Sequence, residues 1–244
     1  MKRPPPGKCV HCLRHFDKLT WDHVFPKAWY PDTTPQYLYK WQIPSCGKCN
    51  GEYGRLEGNL LLRLGLCIDP NEPRSLGIVP KALRAIDPRY GKSLRDKQLR
   101  MAKRKKILRE LAKAYQVHKQ AIYPGFEEKW NRPLEEQSAI LLPAKSLQKL
   151  TEKIVRGIFF IEDQRFIEPS YGIQFFALTN QDARPMVDIV NRFGTTYARE
   201  PGIVVDRAVT PGDRTSSVFR IVIWGRLQMY AAVLNMALER MDDF

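Results

Sequence analysis

Four of the five cysteines stand in two pairs, Cys9-Val10-His11-Cys12 and Cys46-Gly47-Lys48-Cys49, with 33 residues between them. Each pair can turn two thiolates toward one ion, and four thiolates fill the tetrahedron of Zn²⁺ with no open position. The expected zinc is therefore structural. Between the pairs lies Trp21-Asp22-His23-Val24-Phe25-Pro26-Lys27, and Asn50 follows the last cysteine. Asp22 offers a hard oxygen ligand suited to Mg²⁺ or Mn²⁺, and the side-chain oxygen of Asn50 offers a second. An imidazole such as that of His23 titrates near neutrality and can take a proton from water. Plainer roles stand beside these. His23 taken alone suits packing or surface, Asn50 suits the start of a helix, His11 suits a turn and His15 the surface. Cys67 is expected to be an ordinary small apolar residue.

The order CxxC, Asp-His, CxxC-Asn resembles the HNH endonucleases, also called ββα-metal nucleases, in their four-cysteine zinc-containing branch. The resemblance covers about residues 9–64. It implies a hairpin clamped to a helix by zinc, with Asp22 and His23 on the first strand and Asn50 opening the helix. It implies further that His23 is the general base, and that a catalytic Mg²⁺ or Mn²⁺ is held by Asp22 and Asn50 at the scissile phosphate. The products would be 5′-phosphate and 3′-hydroxyl ends. The sequence departs from the commonest pattern in having no second histidine on the helix: the next one is His118. Glu57, seven residues after Asn50 and on the same helical face, is a candidate in its place. The simpler reading of Glu57 is an ion pair with a lysine or arginine.

These residues need elements to position them. Adjacent strand residues point to opposite faces, so Asp22 and His23 can serve one centre only near a bend or bulge. Leu56, Leu60, Leu61 and Leu64 predict a helix over 50–66, weakened by Gly51, Gly54 and Gly58 unless close packing or a ligand uses the space. A long helix is expected over 92–121, with Leu94, Met101, Leu108, Leu111 and Tyr115 on its apolar side. An amphipathic helix is expected over 146–158. Strands are expected at 172–179, 202–209 and 217–224, with helices at 182–193 and 225–240. The fold class is α+β. The expected organisation is a zinc-stapled nuclease domain over 1–80, a basic helical linker over 81–144 and an α+β domain of no assigned role over 145–244.

Charge names the partner class. The net charge of +14 is concentrated: residues 81–120 hold 14 Lys/Arg against 3 Asp/Glu, while residues 121–244 hold 15 against 16. A block this one-sided favours a polyanion, because phosphates attract it and counterion release drives binding. Lys103, Arg104, Lys105 and Lys106 are expected to follow a DNA backbone beyond the site, with Lys27, Lys48 and Arg55 nearer to it. RNA offers the same phosphates. No apolar run approaches a membrane span, and Lys2-Arg3-Pro4-Pro5-Pro6 lacks the apolar core of a signal peptide, so a cytoplasmic protein without a membrane partner is expected. Two readings compete with a DNA endonuclease. One is a zinc-containing nucleic-acid-binding module without catalysis, which needs the cysteines and the basic block but not the trio Asp22, His23, Asn50. The other is a nuclease directed at RNA.

Overall fold

The computed structural model describes residues 3–126, 133–199 and 202–236. Two short strands, β1 (Gly7–Lys8) and β2 (His15–Phe16), carry the first cysteine turn between them. Strands β3 (Thr20–His23) and β4 (Gln42–Ser45) pair antiparallel, with Asp22 opposite Ile43 and His23 opposite Gln42. Helix α1 (Gly47–Gly65) follows directly. Its N-cap is Cys46, whose sulfur accepts the Cys49 backbone N–H, so a cysteine does the work usually given to Ser or Asp.

Helices α2 (Ile78–Arg84) and α3 (Leu94–Glu110) come next, then strands β5 (Leu111–Lys113) and β6 (Ser138–Ile140), which pair with each other. Helix α4 (Ala144–Asp163), strand β7 (Tyr171–Phe176), helix α5 (Arg184–Phe193) and strands β8 (Gly194–Arg199), β9 (Ile203–Thr210), β10 (Asp213–Ile223) and β11 (Leu227–Asn235) complete the described elements. The last five strands form one antiparallel sheet in the order β7-β11-β10-β9-β8. The class is α+β. Among the described residues no helix is long and apolar enough to cross a membrane.

Two expected helices differ from the structure. The helix foreseen over 92–121 spans only 94–110, and the chain then enters β5. Its expected apolar side is largely in solvent: Leu94, Met101 and Leu108 are exposed and only Ile107 is buried. What anchors the helix is Ile107 against Leu62 and Ala82, together with Arg63 of α1 bonded to Glu110 at 2.5 Å. The helix foreseen over 225–240 is strand β11 as far as Asn235, and residues 237–240 lie outside the described part. Leu, Met and Ala favour a helix there, but the ladder with β10, from Ile223–Leu227 to Ser217–Val233, overrides that preference. The turn between the strands runs through Trp224 (φ 55°) and Gly225 (φ 67°), and tryptophan is not a residue that announces a turn. Strand β8 had no counterpart in the sequence reading.

One apolar cluster joins the first 80 residues to the last 100. Val24, Phe25, Trp29, Ile43 and Leu60 share it with Ile154, Ile158, Trp224 and Met229. The Trp224 ring lies 5.0 Å from that of Trp29, and its N–H donates to the Trp29 carbonyl at 2.8 Å. Helix α4 comes unusually close to the bend after β3. A Cβ at Gly157 would lie 2.6 Å from a methyl of Val24, so only glycine permits this approach. Lys153 sits one turn earlier on the same face of α4, and that closeness delivers it to Asp22.

Candidate functional site

The four cysteine sulfurs lie within 4.8 Å of one another and could hold a metal ion such as zinc. Sulfurs about 2.3 Å from a tetrahedral zinc stand roughly 3.8 Å apart, and Cys12 and Cys46 are 4.0 Å apart. Two further features fit the group. Backbone N–H donors already point at the sulfurs, Cys46 N–H at Cys9 (3.3 Å) and Cys49 N–H at Cys46 (3.4 Å), as metal thiolates require. Leu13, just after the first knuckle, holds φ 62°, a left-handed conformation that costs a side-chain-bearing residue about 1–3 kcal/mol and needs support from its surroundings.

Beside this cluster lies a cleft of about 280 Å³ lined by Asp22, His23, Lys27, Asn50, Glu57 and neighbours. Its floor is one face of α1. Asn50, Gly54, Glu57, Gly58 and Leu61 follow each other at helical spacing. Its other wall is the end of β3 and the turn at Pro26–Trp29. The strand ends at His23, and the bend that follows lets Asp22 and His23 reach the same cleft from opposite faces.

Asp22 is the buried member. Its Oδ1 accepts from Lys153 Nζ at 2.8 Å, and its Oδ2 accepts from His11 Nε2 at 2.9 Å. Burial pushes this carboxyl up, but the His11 hydrogen bond and the Lys153 ammonium overcome it, leaving Asp22 below the usual carboxylate range. Burial likewise pushes the His11 imidazole down, against the pull of Asp22. The buried Nδ1 of His11 has no hydrogen-bond partner among the described residues, so Nε2, which faces Asp22, is the nitrogen that donates. Lys153 also bonds Glu57, and the Tyr53 ring centroid lies 5.4 Å from Nζ. The pairing role expected for Glu57 is the one seen. Burial pushes the Glu57 carboxyl up and nearby Asp22 adds to the rise, against the pull of Lys153.

His23 and Asn50 are only partly covered. The Gln42 amide N–H meets His23 Nε2 at 3.0 Å, across the strand pair. An amide nitrogen only donates, so Nε2 is the unprotonated ring nitrogen. Burial lowers the His23 pKa; Asp22 pulls it up, and Lys153, Lys27 and Lys40 add to the lowering. Asn50 donates its amide to Thr20 Oγ1 (2.9 Å) and to the Trp21 carbonyl (3.3 Å). That leaves Oδ1 as its ligand atom. The oxygens of Asp22, Glu57 and Asn50 form a hard donor set that fits Mg²⁺ or Mn²⁺ in type. In the structure the Lys153 ammonium stands between the two carboxylates.

The structure thus brings together Asp22, His23, Asn50 and Glu57, and adds three residues that the sequence reading did not place there. His11, expected in a turn, is the partner of Asp22. Gln42 carried no signal. Lys153 carried one: α4 has Leu150, Ile154 and Ile158 on its buried stripe, and a lysine on that stripe needs an anion. Of the expected phosphate contacts, Lys27 lines the cleft, while Lys48, Arg55 and Lys103 to Lys106 are exposed. Cys67 is half-buried at the end of α1, and burial pushes its thiol up to about 11, as befits an inert residue.

Gly51, Gly54 and Gly58 of α1 are not explained by packing. A Cβ on Gly54 or Gly58 would meet nothing within 4 Å, and on Gly51 only the end of Arg55. Replacing Gly58 by alanine is therefore expected to stabilise the helix by about 1 kcal/mol. Because Gly58 lines the cleft, the same methyl should weaken whatever binds there. A thermal melt read beside a binding or cleavage assay checks both signs, and a variant unchanged in function would show that the cleft floor touches no ligand.

Comparison with family models, with curated proteins and with solved structures returns no match for this chain.

Proposed function

We propose that the chain is a metal-dependent endonuclease of the HNH type that hydrolyses phosphodiester bonds in DNA. The observation that carries the reading is the cleft itself. An imidazole whose Nε2 meets the Gln42 amide (His23) and oxygen donors from a strand (Asp22) and a helix (Asn50, Glu57) face one space beside a four-cysteine cluster. Hydrolysis of a phosphodiester needs an activated water and neutralisation of charge at the phosphate and the leaving oxygen. In this reading a water that takes the place of the Gln42 amide at Nε2 gives its proton to His23. Asp22 and Asn50 would hold Mg²⁺ or Mn²⁺, which supplies the charge neutralisation when bound. The exposed face of α3, with eight lysines and arginines against two acids, would bind backbone phosphates outside the cleft.

A second reading has one observation in its favour. Both oxygens of Asp22 are already engaged, by Lys153 and His11, as they would be in a purely structural ion cluster. That suits a zinc-containing nucleic-acid-binding module without catalysis. Incubating the purified chain with supercoiled plasmid, and separately with RNA, in Mg²⁺, Mn²⁺ or EDTA decides between them. Nicking that needs a divalent ion is expected. Binding without cleavage under any ion leaves the binding module, and cleavage of RNA alone transfers the activity to that substrate.

A further inference from the structure

A lysine with no exposed surface is rare, because its ammonium must find compensation for the water it has lost. Lys153 is such a residue. Its Nζ bridges Asp22 Oδ1 and Glu57 Oε1, which come from a strand and a helix of the first 65 residues, whereas Lys153 comes from α4. The point where two carboxylates converge is the position a divalent cation would take. The group of two carboxylates and one ammonium opens on the cleft through the partly exposed Glu57.

We propose that Lys153 is the resident cation of the Asp22–Glu57 pair: a divalent ion gains both carboxylates only by displacing this ammonium, so Lys153 sets the affinity of the cleft for divalent ions. The inference rests on the reading that a divalent ion works at Asp22. It adds that the ion has a competitor built into the chain, carried by a helix that belongs to the second half. The Tyr53 ring, 5.4 Å from Nζ, already offers its face to the ammonium. The arrangement keeps two buried acids compensated while no ion is bound. It also makes α4 part of the site rather than a support behind it.

The test reads ion binding in the zinc-loaded full chain and no cleavage. Free Mn²⁺ is measured by electron paramagnetic resonance during titration, and thermal melts are recorded with and without Mn²⁺. Lys153→Met is expected to bind one Mn²⁺ at least tenfold more tightly than the wild-type chain and to gain more thermal stability from it. Lys153→Arg keeps the charge and should retain the weak wild-type affinity. Adding Glu57→Gln to Lys153→Met should remove most of the gain, because one of the two carboxylates is gone. If Lys153→Met is unfolded without ions, Mn²⁺ should restore its fold. The proposal is overturned if Lys153→Met binds Mn²⁺ no more tightly than wild type, if the gain survives Glu57→Gln undiminished, or if the variant stays unfolded at every Mn²⁺ concentration. Because no arm measures hydrolysis, a chain that cuts nothing leaves this result standing, and an active nuclease with unaltered Mn²⁺ affinity in Lys153→Met refutes this inference alone.

Discussion

Replacement of His23 by alanine is expected to lower plasmid cleavage by about 10²- to 10⁴-fold, the usual worth of a general base, while leaving fold, zinc content and nucleic-acid binding nearly unchanged. The geometry explains why the loss should be confined to turnover. His23 is partly exposed, and its Nε2 hydrogen bond is to Gln42, a neighbour on the adjacent strand. Removing the ring deprives Gln42 of one partner at a solvent-facing edge, a small structural cost. Asp22 behaves oppositely. It is buried, and its loss strands Lys153 without one of its two anions. Asp22→Ala should therefore lose stability as well as activity, so it is the poorer probe of chemistry. A His23→Ala chain that cuts as fast as wild type would remove His23 from the role of base, and with it the assignment of the site.

The second large effect belongs to the cysteine cluster. Cys46→Ala, or removal of the metal by a strong chelator, is expected to lower the melting temperature by on the order of 10 °C or more. Structural zinc contributes about 10–16 kcal/mol in small zinc domains, and for a chain of this size each 1 kcal/mol is worth roughly 2–4 °C. Cys46 is the most damaging of the four to replace. It is at once a proposed ligand and, by accepting the Cys49 N–H, the N-cap of α1. The loss should not spread evenly. The sheet of β7 to β11 carries its own ladders, so the knuckles, the β3–β4 pair and the first turns of α1 should melt first. Amide hydrogen exchange resolved along the chain would show that order. A metal-free chain with an unchanged melt and four freely titrating thiols would contradict a structural zinc.

Much of the site could be read from residue types at short range. The cysteine pairs, Asp22-His23 and Asn50 lie within 42 residues, and their spacing brings them together in whatever local structure the cysteines impose. The helix expected from residue 50 is visible in its leucines, although it starts three residues earlier, at Gly47, capped by Cys46. What could not be read is what arrives from far away. Lys153 meets Asp22 across 131 residues, through a helix packed on a valine at the position of a glycine. No local pattern encodes that contact, although a lysine in an apolar stripe hints that a partner exists. His11 was hidden by its neighbours, since four cysteines left a knuckle histidine without a task. The helix expected over 225–240 shows the same limit in the fold as far as Asn235: residues with helical preference are drawn into a strand by their pairing with β10.

Helix α1 ties the cysteine cluster at its start to the anchor of α3 near its end, where Leu62 meets Ile107 and Arg63 holds Glu110. From Asn50 to Arg63 is about 20 Å at the helical rise of 1.5 Å per residue. A helix does not stretch, so this length works as a ruler. In the proposed nuclease reading, a duplex lying along α1, with base pairs stacked every ~3.4 Å, would meet the start of this basic surface roughly six base pairs to one side of the bond in the cleft. The protected stretch in a footprinting experiment should accordingly be lopsided, reaching further from the cut on the side of α3, and lengthening α1 by whole turns would move that far edge while the cut stays where it was.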